Sequence, residues 1–98
     1  MLETLKEAAL KLAAQKMLAP YGLELKHYVP GRLRVVVHNW QTREQELRRL
    51  IGEMENDPDV RVVTFTEATG SLLIEFNKDA AFSQEILNRW KGIISKYM

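Results

Sequence analysis

The sequence predicts an α+β domain in which a four-stranded antiparallel sheet carries two helices on one face and is preceded by one further helix. Three observations carry that expectation. Apolar residues recur at helical spacing in three segments, one at each end of the chain and one in the middle. Between them lie four runs that alternate apolar with polar residues or are rich in β-branched and aromatic ones, arranged as two pairs with a glycine-bearing turn inside each. Finally, 98 residues, 46% of them apolar and 28% charged, suit a single folded domain and leave little room for a second.

Residues 2–18, LETLKEAALKLAAQKML, consist largely of strong helix formers. Leu2, Leu5, Ala9 and Leu12 form one stripe, and Leu10, Ala14, Met17 and Leu18 lie near a second, so this helix is apolar on more than one side. Pro20, which lacks an amide hydrogen, and Gly22 punctuate the chain after it. In LELKHYV, residues 23–29, alternation places Leu23, Leu25, His27 and Val29 on one face and Glu24, Lys26 and Tyr28 on the other. Pro30 and Gly31 suit the central positions of a type II turn, which predicts a hairpin, with a bulged or continuous strand as the alternative. In RLRVVVHN, Leu33, Val35 and Val37 share one face, and Arg32, Arg34, Val36 and His38 share the other.

Thr42 to Gln45, TREQ, reads as a capping box opening a helix whose Leu47, Leu50, Ile51 and Met54 fall at helical spacing. NDPD stops that helix. VRVVTFT and SLLIEFN follow as strands separated by EATG, where Gly70 can take positive φ, and Leu72, Ile74 and Phe76 share a face. From Asp79, a candidate N-cap, a last helix sets Phe82, Ile86, Leu87, Trp90, Ile93, Ile94 and Tyr97 on one apolar stripe. The order helix, strand, strand, helix, strand, strand, helix is close to a ferredoxin-like plait. The expected division is an N-terminal helix at residues 1–20 and a ferredoxin-like domain at 21–98.

Composition removes several classes of function. A formal net charge of +1 supplies no global field for nucleic acid or an anionic membrane, so any electrostatic role must come from a local patch. The absence of cysteine excludes disulfides, thiolate catalysis and thiolate metal sites. Glu3, Lys6, Glu7, Lys11 and Lys16 interrupt the first helix, so neither a signal peptide nor a transmembrane segment is expected, and the expected compartment is the cytoplasm. No nucleophile stands in an activating motif, so the chain is expected to be neither an enzyme nor a cofactor carrier. His27 and His38 are the only histidines and alternation points them to opposite faces, whereas a stable metal site needs three or four converging ligands; no metal site is expected. Base stacking would need aromatics on the open face of the central strands, where Arg34, Val36, Leu73 and Glu75 stand instead, so nucleic acid is not an expected partner.

Lys26, Arg32, Arg34 and Arg61 form a basic set able to converge on the sheet face away from the core helices, where forked guanidinium bonds suit phosphate or carboxylate, including a lipid headgroup. Against this stands pairing with Glu24, Glu75 and neighbouring carboxylates across strands, which stabilises a sheet by about 0.2 to 1 kcal/mol per pair. On the same face Val36, Val62 and Leu73 would be wet unless covered, either by the N-terminal helix folding back or by another protomer or protein partner.

From Gly31 to about Lys91 the chain resembles the heavy-metal-associated domain, the small βαββαβ module of copper chaperones and of the N-terminal tails of metal-transporting P-type ATPases. In DPDVRVVTFTEATGSLLIEFN, Val60, Thr69 and Gly70 fit the family's helix-ending valine and Thr-Gly hairpin. HYVPGRLRVVV is similar to the cysteine-free branch of that superfamily, with His27, the Pro30-Gly31-Arg32 turn and Arg34 as the matching residues. Metal-carrying members hold a soft cation on a Met-x-Cys-x-x-Cys loop between the first strand and first helix. Here that loop is HNWQTRE, and no metal-site residue transfers to it. No strand is expected after the last helix, so the family's fourth strand is expected from residues 23–29, entering the edge slot through the Pro-Gly hairpin. The resemblance implies a binding or regulatory module that acts beside a metal-transporting ATPase through protein contact, and the apolar surface of the N-terminal helix and the outer sheet face is where a protein partner or self-association is expected.

Overall fold

The computed structural model describes residues 2–77 and 84–98 and contains the expected elements in the expected order. They are α1 (Leu2–Leu18), β1 (Leu23–Val29), β2 (Arg32–Val37), α2 (Glu44–Glu55), β3 (Val60–Thr66), β4 (Ser71–Phe76) and α3 (Gln84–Tyr97), with 3₁₀ turns at Ala19–Tyr21 and Trp40–Arg43. The sheet runs β1-β2-β4-β3, and every neighbouring pair is antiparallel. β1 occupies the edge beside β2, the slot of the fourth strand in a ferredoxin-like sheet, so that edge is filled from the N-terminal side as expected. The hairpin closes with Val29 opposite Arg32, and Gly31 has a φ of 87°, the positive value a type II turn requires at its third residue.

One face of the sheet makes the core. Leu33, Val35 and Val37 of β2 and Leu72, Ile74 and Phe76 of β4 are buried against Leu47, Leu50 and Met54 of α2 and Ile86, Leu87, Trp90 and Ile94 of α3. Full burial of each such side chain contributes about 1.5–3 kcal/mol. Trp90 and Phe76 meet in a T-shaped contact at 5.6 Å, an arrangement in which the positive edge of one ring faces the negative face of the other. α1 joins the same core through Ala14 and Leu18, with Met17 packed beside them. Its Gln15 Oε1 accepts the Leu25 amide at 2.8 Å, satisfying a donor that an edge strand would otherwise present to another chain. Of the two apolar stripes on α1, the one with Ala14 and Leu18 is therefore used, and Leu12 on the other is left 58% exposed. The helix closes its own domain from the β1 edge, on the core side of the sheet.

Strict alternation fails in β1. Leu25 pairs with Val35 but His27 pairs with Arg34, so Lys26 is the extra residue of a β-bulge. Beyond it the faces interchange: Tyr28 lies opposite Leu33 on the core side and stacks on Phe76 at 6.5 Å, while His27 and Val29 move to the open face. The exchange places a large ring against a core aromatic and leaves an imidazole in water, and at a sheet edge the irregular ladder costs little. A second bulge, between Val60 and Val62, sets Arg61 out of register in β3.

The capping box is also overturned. Thr42 lies within the 3₁₀ turn and its Oγ1 donates to the Asn39 carbonyl at 2.8 Å, while α2 starts at Glu44 behind Arg43, which makes no side-chain cap bond. Asn39, in the left-handed region at φ 57°, turns the chain sharply enough that the segment tightens into 3₁₀ form before the α-helix begins. The expected N-cap Asp79 and the stripe residue Phe82 lie outside the described residues. No described helix is long and apolar enough to cross a membrane.

Candidate functional site

The sheet face opposite the helices carries Arg32, Arg34 and Val36 from β2, and their cross-strand neighbours Leu73 and Glu75 from β4. β1 adds Glu24, His27 and Val29. Lys26, the bulged residue, stands beside them with its Nζ 3.0 Å from Glu24 Oε2. As a result Lys26, His27, Arg32 and Arg34 surround one hollow, with Val29 and Leu73 as its apolar lining. Arg61 is not among them: it lines an adjoining groove with Pro30, Gly31, Arg32, Val62 and Glu75. Three of the four expected basic residues are therefore brought together, and Arg32 borders both depressions. Of the turn residues, His27 joins the hollow while Pro30 and Gly31 form the hairpin corner beside it.

The three cations differ in what neutralises them. Glu24 is shared between Lys26 and His38, whose Nε2 lies 3.0 Å away, and first the Lys26 ammonium, then His38, hold the Glu24 carboxyl below the usual carboxylate range. Arg32 Nε stands 3.8 Å from Glu75 Oε1, with both side chains well exposed, so the pair is loose and contributes little. Arg34 faces His27 on one side and Leu73 on the other, and among the described residues it makes no ion pair. The histidines, expected on opposite faces, share the open face because of the bulge; among the described residues no three His, Asp or Glu side chains converge as a metal site would need.

The β2–α2 loop, where metal-carrying relatives place their thiolates, is closed by Trp40 and Arg43. The Trp40 indole meets Phe65 edge-on at 5.1 Å and lies so near Gly70 that a Cβ there would stand 3.2 Å from Trp40 Cδ1. Gly70 in turn accepts the Val37 amide at 2.8 Å, which ties the β3–β4 corner to the end of β2. The Arg43 guanidinium reaches back over Gly22 and donates to the His38 carbonyl at 3.5 Å. An indole N–H can only donate, and a guanidinium repels a cation. The loop's side chains that could ligate a soft or borderline metal, His38 and Glu44, are engaged by Glu24 at 3.0 Å and by Arg48 at 2.6 Å. These residues do not fit a soft cation.

A buried cluster escaped the sequence reading. Asp57, its side chain only 2% exposed, receives Arg89 Nε at 2.7 Å and Nη2 at 3.1 Å, while Asp59 receives Nη2 at 2.5 Å. The Asp59 amide also donates to Asp57 Oδ1 at 2.9 Å. Burial pushes the Asp57 carboxyl up, but Arg89, the Asp59 amide and the Trp90 indole outweigh it, and the group sits below the usual carboxylate range. The cluster fastens the loop between α2 and β3 to α3 and lies on the helix side, away from the hollow. Its sequence signal was two aspartates flanking Pro58 in a helix-ending loop, with an arginine three positions beyond Ile86 at the margin of an apolar stripe.

Among known protein families, heavy metal associated domain 2 matches residues 10–98, a span that begins inside α1 and takes in both hairpins, α2 and α3. No curated protein and no solved structure matches the chain. With the family covering nearly the whole sequence, over a ferredoxin-like sheet and without a single cysteine, the chain belongs to the heavy metal associated domain 2 family.

Proposed function

We propose that the domain is a non-enzymatic binding or regulatory module of the cytoplasm that works beside a metal-transporting P-type ATPase, through protein contact and without holding the metal on its own β2–α2 loop. The observation that supports this is the loop itself, where Trp40 packed on Phe65 and Gly70 takes the place that a thiolate pair has in metal-carrying relatives. The contact surface is the open sheet face, on which Val62 is 46% and Val29 37% exposed between basic side chains. An apolar patch with a polar rim is what a modest protein interface uses.

An NMR titration of the labelled chain with the soluble cytoplasmic domains of a metal-transporting ATPase from the same organism tests this reading. Amide shifts are expected along β2, β4 and β3 on the open face. Val62→Asp, a change at an exposed position, is expected to weaken the contact about tenfold with little loss of stability. Absence of any shift with every cytoplasmic domain of the transporter would defeat the proposal.

A further inference from the structure

We propose that the hollow around Arg34 is a binding site for a phosphate group, free or carried on an ester. The first support is the placement of charge. Arg32 and Arg34 project from one face of an inner strand, two residues and therefore about 6.5 Å apart along the strand, close enough for both side chains to reach one tetrahedral oxyanion. The β1 bulge then sets His27 beside Lys26 across from Arg34; strict alternation would have kept only Lys26 on this face. Four donors from two strands thus border one concavity.

The second support is that the sheet pairs Lys26 closely and Arg32 only loosely, and leaves Arg34 without a carboxylate among the described residues. Glu24 is taken by Lys26 and His38, and Glu75 stands 3.8 Å from Arg32. Arg34 has an imidazole and a leucine as its cross-strand neighbours, so its fork lacks a carboxylate among the described residues. Val29 and Leu73 line the same hollow, and their apolar surface excludes part of the solvent that would otherwise screen a guanidinium–phosphate pair. Phosphate suits the set because the guanidinium forks present paired N–H groups to its oxygens, while Lys26 supplies a rotatable ammonium.

Inorganic phosphate titrated into the labelled chain at low salt is expected to shift the amides of Lys26, His27, Arg34 and Leu73 along one saturating curve, which added salt weakens. Arg34→Gln is expected to weaken binding about tenfold while the melting temperature holds. Arg49→Gln removes the same charge from an exposed position on α2 and is expected to leave the affinity unchanged. Cosedimentation with phosphatidylcholine vesicles, with and without phosphatidic acid, distinguishes the source. Binding to phosphate without cosedimentation identifies a free phosphate or soluble ester, and cosedimentation lost only in Arg34→Gln identifies a headgroup. No shift and no cosedimentation at low salt, or equal losses in the two variants, would overturn the site.

Discussion

Replacing Arg89 with methionine is expected to lower the stability of the fold by about 2–4 kcal/mol at neutral pH, because it leaves the Asp57 carboxylate buried without its partner. The range is set below the full cost of breaking an enclosed ion pair because Arg89 is 35% exposed and solvent screens its outer end. The effect is tied to pH with a definite sign. Asp57 is held below the ordinary carboxylate range in the folded chain, so as pH falls the unfolded chain takes up this proton first. The stability contributed by the cluster is complete above about pH 5 and drains away as pH drops through about 3.9 towards the lower folded value. In Arg89→Met burial acts on Asp57 with its largest opponent removed, so the gap between variant and parent is widest at neutral pH and narrows in acid. Urea denaturation at a series of pH values reads this out; a deficit that stays constant down to pH values well below the carboxylate range would mean that only packing was lost.

Gly70→Val is expected to cost a further large amount, about 2–4 kcal/mol, from two sources that act together. Gly70 has a φ of 65°, where a β-branched side chain is strongly disfavoured. A Cβ at this position would also stand 3.2 Å from Trp40 Cδ1 and 3.3 Å from the Val37 carbonyl oxygen. The carbonyl belongs to an inner strand and the indole is held by Phe65, so neither neighbour moves away cheaply. Gly52 provides the contrast. It lies within α2 and nothing stands within 4 Å of its Cβ position, so Gly52→Ala is expected to stabilise by about 0.5–1 kcal/mol. Equal effects in the two variants would show that Trp40 does not rest on the β3–β4 corner.

What the sequence revealed follows from how tightly each element is constrained. β2 and β4 are inner strands pressed on helices from one side, so a shift of one residue would expose Leu33, Val35, Val37, Leu72, Ile74 and Phe76 together, and their alternation reads directly. β1 is an edge strand with an amphipathic side chain at both His27 and Tyr28, and either parity satisfies its pattern; the bulge at Lys26 is decided by the Phe76 ring on which Tyr28 stacks, contributed by a strand much later in the chain. For the same reason the shared face of Lys26, Arg32 and Arg34 was legible, whereas the arrival of His27 beside them was not. Arg61 sits in a second bulge and diverges into the next groove. Asp57 and Arg89 are 32 residues apart, and no periodic pattern links a loop carboxylate to a helical arginine at that distance.

The most direct measurement is a copper(I) titration of the chain against a chromophoric chelator, with zinc and nickel followed by calorimetry. With Trp40 and Arg43 closing the β2–α2 loop and no thiolate in the sequence, the chain is expected to withdraw no stoichiometric equivalent of copper(I) from the chelator, and neither zinc nor nickel is expected to give a saturating heat. One tightly bound equivalent of any of the three, with amide shifts centred on residues 38–44, would contradict it.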